Sequence, residues 1–277
     1  MISPTSTPRD TASLYHAASA SAFPALFAVG VTTAACASLI VVGVAATMGG
    51  LDLTIAVALG QLCLLITPLI ATRLVGRNAH ALGLARGPWI YGLAALLIGV
   101  SAWYINVRLV ALFDVGDARV LEQLIDHWPL GLMIATLALF PAVCEEVLFR
   151  GALLRGLATR FHAPVAIGLS ALTFSAYHLN LVQLIPTFTL GLVFGLIALR
   201  AGSSLPTMLA HFVNNSIALL IARGELPMLA NREGTGWFDR HPALTLAGAT
   251  ALTTTGIAIA MVAPRALARA EPRGELA

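Results

Sequence analysis

The chain contains no lysine: all sixteen of its basic residues are arginine. Acidic residues are scarcer still, at thirteen. Charged residues therefore make up 10% of the 277 positions, where a soluble domain carries about 25%. That shortage excludes a soluble fold of this length. With 58% hydrophobic residues and a mean hydropathy of +0.87, the apolar surface exceeds what a globule can bury, but a bilayer takes it up. The arginines lie in separate short loops rather than in a patch, and the formal charge is only +3, which argues against nucleic acid as a partner. Arginine without lysine, together with abundant alanine, reads as the codon bias of a GC-rich bacterial genome. Cysteine is also sparse. Cys36, Cys63 and Cys144 all fall in apolar stretches, and none forms a CxxC pair, so neither a disulfide framework nor a thiolate metal centre is indicated. Cys144 reads as a small apolar filler, since a nucleophilic cysteine needs a polar, pKa-lowering environment and a base. No cleavable signal peptide is expected either, and the first apolar run is read as a retained span. Residues 1–21 are polar, and the apolar run that begins near Ala22 is too long for a signal peptide.

What is present is a series of long apolar runs. A spanning helix needs about 20 mainly apolar residues, and eight segments are read as spans: Phe23–Met48, Leu53–Ala71, Pro88–Phe113, Pro129–Leu154, Pro164–Leu184, Pro186–Leu199, Leu205–Ala222 and Pro242–Val262. Proline opens several of them, where its missing N–H is harmless. Pro186 is taken to mark the break between the fifth and sixth. The expected architecture is an all-α transmembrane bundle over residues 22–263, with a polar cavity between spans four, five and seven. Tails at 1–21 and 264–277 flank it, and no repeat or second domain is visible. Between spans three and four, Val120, Leu121, Leu124 and Ile125 recur at helical spacing within Asp114–Trp128, which predicts an amphipathic helix on the membrane surface. With eight crossings, one side collects ten loop or tail arginines (among them Arg73, Arg77, Arg155 and Arg200) and the other collects five. That bias puts both termini in the cytoplasm, with the chain in a bacterial cytoplasmic membrane.

The few ionisable groups inside spans carry the functional signal, because each is costly at the bilayer centre. In span four, Glu145-Glu146-Val147-Leu148-Phe149-Arg150-Gly151 interrupts an apolar helix. Glu146 and Arg150 are four apart and share a face, so they are expected to pair. Glu145 lies about 100° round from Glu146 and is left without that partner. Span five carries Phe174 and His178 on one face. Span seven carries His211 and Asn215 on one face, with Asn214 turned away. Gly191 and Gly195 in span six have the small-xxx-small spacing that lets helices approach closely. Each segment alone has a bland reading: a solvated helix end, a core histidine, an interhelical hydrogen bond, a packing stripe. Gln61, Asn106 and Arg108, also within spans, do not join the set. Together a carboxylate near a histidine suits general-base work on a water, and a second histidine with an asparagine suits an oxyanion site. The same donors also suit a Zn²⁺ ion held by Glu145, His178 and His211. No cofactor is otherwise called for.

These residues resemble the CAAX prenyl protease and bacteriocin-processing family of intramembrane proteases. The EExxxR motif is matched by Glu145, Glu146 and Arg150, the FxxxH motif by Phe174 and His178, and the HxxxN motif by His211 and Asn215. The run Gly202-Ser203-Ser204-Leu205 before the third motif is also similar, and the resemblance covers about Leu139–Ile217. It implies an endopeptidase acting on a membrane-associated peptide or protein. In that reading Glu145 and His178 activate the attacking water, His211 and Asn215 stabilise the oxyanion, and Glu146, Arg150 and Phe174 support them. The family is often described as metal-dependent, but its ligand set is unusual, and a glutamate-type mechanism without metal fits at least as well. No HExxH helix is present, which weakens a zincin-like reading, and a bacterial origin argues against a prenyl-cysteine substrate. Two other classes fit the same intramembrane charges: a proton-coupled transporter, and a non-catalytic binding or immunity protein that uses the same cavity.

Overall fold

The computed structural model describes residues 24–112, 128–231 and 233–265. The N-terminal tail, the C-terminal tail from residue 266 on, most of the amphipathic helix expected at Asp114–Trp128, and Arg232 lie outside the described residues. Within them the chain is helical and forms no strand. The long helices are α1 (Ala25–Met48), α2 (Leu53–Leu74), α3 (Trp89–Val110), α4 (Leu130–Leu157), α6 (Leu181–Ala201), α7 (Leu205–Arg223) and α8 (Pro242–Val262), with a shorter α5 (Ala163–Tyr177) between α4 and α6. Seven of these are long and apolar enough to cross a bilayer, and α5, at 15 residues, is the exception. Their outward faces are bare hydrocarbon, with Leu26 88% and Val262 83% exposed. In water such surface would drive aggregation; in a bilayer it meets lipid.

The break between the fifth and sixth helices differs from the sequence expectation. α5 ends at Tyr177, and α6 begins at Leu181 and contains Pro186. A proline in the second turn forfeits one backbone hydrogen bond, which a helix with a long remaining run tolerates. The chain turns instead at Leu179, the single non-glycine residue with positive φ (49°) among those described. A left-handed residue ends a right-handed helix, so His178 becomes the cap of α5 rather than a mid-helix residue.

α4 is the central helix: 61% of its apolar window is buried, against 17–50% for the other six long helices. It packs against α1 and α2 on one side and α7 on another, while α3 packs against α7 and α8, and α5 against α6. The last contact depends on Gly191, where an added Cβ would lie 3.0 Å from the Ala171 Cα of α5. Only a glycine permits that approach, as its spacing with Gly195 suggested.

α4 is not a uniform helix. Residues Ala135–Leu139 and Val147–Leu153 are wound as π-helix, on either side of the α-helical stretch Phe140–Glu146. Pro141 accounts for the first. It has no N–H for the Leu137 carbonyl four residues back, and the Phe140 N–H bonds Ala135 O, five residues back. At the second, the Leu154 N–H bonds Phe149 O, which also accepts from Ser170 Oγ of α5 at 3.1 Å. The glutamate pair thus sits between two wide turns, a feature that recurs at functional sites.

Candidate active site

The polar residues of α4 are held inside the bundle. Glu145 is 3% exposed, Glu146 is fully buried and Arg150 is 1% exposed. Arg150 Nη1 lies 2.8 Å from Glu146 Oε1, the pairing expected from their spacing. The guanidinium is also sandwiched between rings, 4.2 Å from the Phe174 centroid and 5.5 Å from that of Phe194. A cation over aromatic faces gains attraction where water is excluded. The EExxxR and FxxxH segments are therefore joined through Arg150 and Phe174, and Phe174 stacks edge-on to Phe149 at 5.1 Å.

His211 of α7 bridges the two glutamates. Its Nδ1 lies 3.1 Å from Glu146 Oε1, and its Nε2 lies 4.0 Å from Glu145 Oε2. A carboxylate accepts, so Nδ1 carries the hydrogen and Nε2 faces Glu145. Glu146 thereby fixes the ring's orientation and tautomer, as a carboxylate does for a histidine in many catalytic sites. Glu146 in turn has its charge offset by Arg150.

Glu145 has two unlike oxygens. Its Oε1 accepts from Gln61 Nε2 of α2 at 3.1 Å and from the Tyr177 hydroxyl of α5 at 3.1 Å. Its Oε2 is buried and has no hydrogen-bond partner among the described residues. Gln61 was set aside at the level of sequence, and its bond to Glu145 corrects that. Tyr177, the neighbour of His178, was passed over as well. Both also line an apolar cavity of about 460 Å³ between α1 and α2, with Leu39, Val44 and Gly60.

His178 is half-buried, and its Nδ1 is 2.8 Å from Phe174 O. A carbonyl only accepts, so Nδ1 is protonated and Nε2 keeps a lone pair. His178 is brought beside Tyr177, ring centroids 4.7 Å apart, but it makes no hydrogen bond to Glu145 among the described residues. Asn215 Nδ2 donates to the freed Leu137 carbonyl at 3.4 Å, and its Oδ1 accepts from Asn214 Nδ2 at 3.2 Å. Asn214 does not turn away from the bundle. It is the more buried of the two, at 6% exposure, with Oδ1 unpartnered. The helical wheel misplaced it because α7 is flanked on several sides by other helices, so a residue off the motif face is still enclosed.

The two serines before the third motif are fully buried and tie α7 to the loop after α2. Ser203 Oγ donates to Ala85 O at 2.7 Å, and the Ser204 N–H donates to Gly83 O at 2.8 Å. These bonds seat the start of α7, and hence His211 two turns later. Among the described residues no three His, Cys, Asp or Glu side chains converge as metal ligands. Of the expected Zn²⁺ set, Glu145 and His211 lie together, with Oε2 and Nε2 4.0 Å apart.

Residues 127–217 match the family model described as Type II CAAX prenyl endopeptidase Rce1-like. The match covers about a third of the chain and includes all three motifs and every polar residue of α4 and α7 named above. It supports the family resemblance carried by Glu145, Glu146, Arg150, Phe174, His178, His211 and Asn215. No curated protein and no solved structure matches the chain.

Proposed function

We propose that this chain is an intramembrane endopeptidase of the CAAX-protease type that hydrolyses a peptide bond with a water activated at Glu145. The family match supports the reaction class. The observation that supports the residue roles is the unpartnered, buried Oε2 of Glu145 facing His211 Nε2 at 4.0 Å. Glu146 Oε2 is also without a partner among the described residues, but Glu146 is committed to Arg150 and His211 through its other oxygen, whereas the hydrogen bonds to Glu145 come from neutral donors, and an ionisable group inside a span is a functional candidate by default.

In this reading Glu145 Oε2 takes a proton from a water as the water oxygen attacks the scissile carbonyl carbon. The lone pair of His178 Nε2 helps hold that water. The carbonyl oxygen becomes an oxyanion, held by His211 and the Asn215 amide. His211 donates from Nε2 only when its ring carries both protons, since Nδ1–H is committed to Glu146. Glu145 and Glu146 flank the ring on either side, and Arg150 pairs with Glu146. As the C–N bond breaks, Glu145 returns the proton to the leaving amine, which yields a carboxylic acid and a free amine. Asn215 releases Leu137 O to serve the oxyanion, a long bond that is readily exchanged.

We further propose that all eight helices cross the membrane with both termini in the cytoplasm. The substrate is a membrane-associated peptide or protein. The deciding experiment is cleavage of a peptide library by the purified protein in detergent, scored by mass spectrometry, for wild type and Glu145→Gln, with and without chelator. Cleavage lost in the variant and kept with chelator is the expected result. Loss with chelator assigns the water to a bound metal instead, and full activity of the variant removes Glu145 from the chemistry.

A further inference from the structure

We propose that Gln61 and Tyr177 are positioning residues that clamp one oxygen of Glu145 so that the other is presented to the reacting water. The proposal rests on the endopeptidase reading above and extends it to two residues that the three motifs do not specify.

The geometry is a closed triangle. Gln61 Nε2 lies 3.1 Å from Glu145 Oε1 and 3.5 Å from the Tyr177 hydroxyl, and that hydroxyl lies 3.1 Å from the same Glu145 oxygen. One amide nitrogen thus donates to both partners, and the phenol passes its own hydrogen to the carboxylate. Both bonds fall on Oε1 and none on Oε2. The terminal torsion of a glutamate is otherwise broad and roughly two-fold, so an unclamped carboxylate would exchange its oxygens and sample unproductive angles. Two donors from different helices remove that freedom. They also set the proton-accepting oxygen toward His211.

Gln61 Oε1 and Glu145 Oε2 are both buried without partners among the described residues, as is Glu146 Oε2, but only on Glu145 do neutral donors from two other helices meet on a single oxygen. The cluster is complete only around the one oxygen that it holds. The chain separations, 84 residues for Gln61 and 32 for Tyr177, show that the N-terminal helix pair contributes to the site through α2, although the family match begins only at residue 127.

Positioning acts on the chemical step rather than on binding. The test uses a library peptide that wild type cleaves, with steady-state kinetics and thermal unfolding for Tyr177→Phe, Gln61→Met and Glu145→Gln. Each of the first two removes one donor and keeps the volume. The expected result is kcat lowered by about ten- to a hundredfold in each, with KM and melting temperature close to wild type. Wild-type kcat in both variants overturns the proposal. So does a raised KM at unchanged kcat, which would make the two residues part of the substrate-binding wall of the α1–α2 cavity. Should Gln61→Met not fold, Tyr177→Phe, which deletes a single oxygen, decides alone. Glu145→Gln separates the two levels: if it stays active, the endopeptidase roles fall first, whereas an inactive Glu145→Gln beside fully active Gln61 and Tyr177 variants overturns only the clamp.

Discussion

At the scale of single residues, the site divides one pair of adjacent glutamates into two unlike groups. Glu146 has a cation at 2.8 Å and a histidine at 3.1 Å, both on Oε1; Glu145 has two neutral donors on its Oε1; the second oxygen of each has no partner among the described residues. The division predicts different outcomes for the same substitution. Glu145→Gln should lower kcat by roughly 10²–10⁴-fold, the range of a lost general base, with the melting temperature in detergent unchanged. Glu146→Gln should instead unfold the protein at lower temperature, because it leaves Arg150 buried without its carboxylate; breaking one side of a buried pair costs about 3–5 kcal/mol. Replacing both, Glu146→Leu with Arg150→Met, should recover most of that stability without recovering cleavage, since His211 then loses its anchor. Thermal unfolding followed by tryptophan fluorescence, alongside the peptide assay, reads all three. The Glu146–Arg150 half of this was legible in sequence because an i,i+4 relation is local. The Gln61 and Tyr177 half was not: a bond across 84 residues depends on how α2 packs on α4, and no spacing rule encodes that.

At the scale of elements, the departures from regular helix decide where the site groups point. Pro141 strips the Leu137 carbonyl of its α-helical partner, and Asn215 of α7 supplies a substitute at 3.4 Å. Pro141→Ala restores the missing N–H. That change should raise the melting temperature slightly, as removal of a helix-interior proline does. It should also lower kcat, because the α-helical stretch that carries Glu145 rewinds against α7; Asn215→Ala should then cost less stability in the Pro141→Ala background than in wild type, a coupling that a double-mutant cycle measures. Proline was read from sequence as a helix opener or breaker. That served for Pro88, Pro129, Pro164 and Pro242, each at or beside a helix start. It failed at Pro186, which sits in the second turn of α6, because the break is set directly after His178 by the left-handed Leu179. Nothing in the composition of His178-Leu179-Asn180 announces it as strongly as a proline would. The close approach of α6 to α5 was readable from Gly191 and Gly195, because glycine spacing is a statement about contact distance.

For the whole molecule, the number of crossings fixes which side each end of the chain takes. Among the described residues seven helices are long enough to cross unaided, and an odd number of crossings places the termini on opposite sides. α5 decides the parity. Its 15 residues reach about 22 Å at the helical rise, short of a hydrocarbon core about 30 Å thick. α5 alone does not span. It crosses only if the turn at Leu179 and the start of α6 lie within the membrane depth, where irregular backbone needs a protein wall or a water-filled cavity. The endopeptidase reading requires such a cavity at that place, because His178 caps α5 beside Tyr177 and must meet water. The arginine bias, ten against five, also arises only when α5 counts as a crossing. Fusions of a fluorescent protein that matures only in the cytoplasm, and of a phosphatase active only outside it, should therefore report both ends of the chain as cytoplasmic. If the two ends report opposite sides, α5 is a re-entrant half-helix, the arginine bias loses its meaning, and the polar residues at the end of α5 must reach water from the same face that α5 enters.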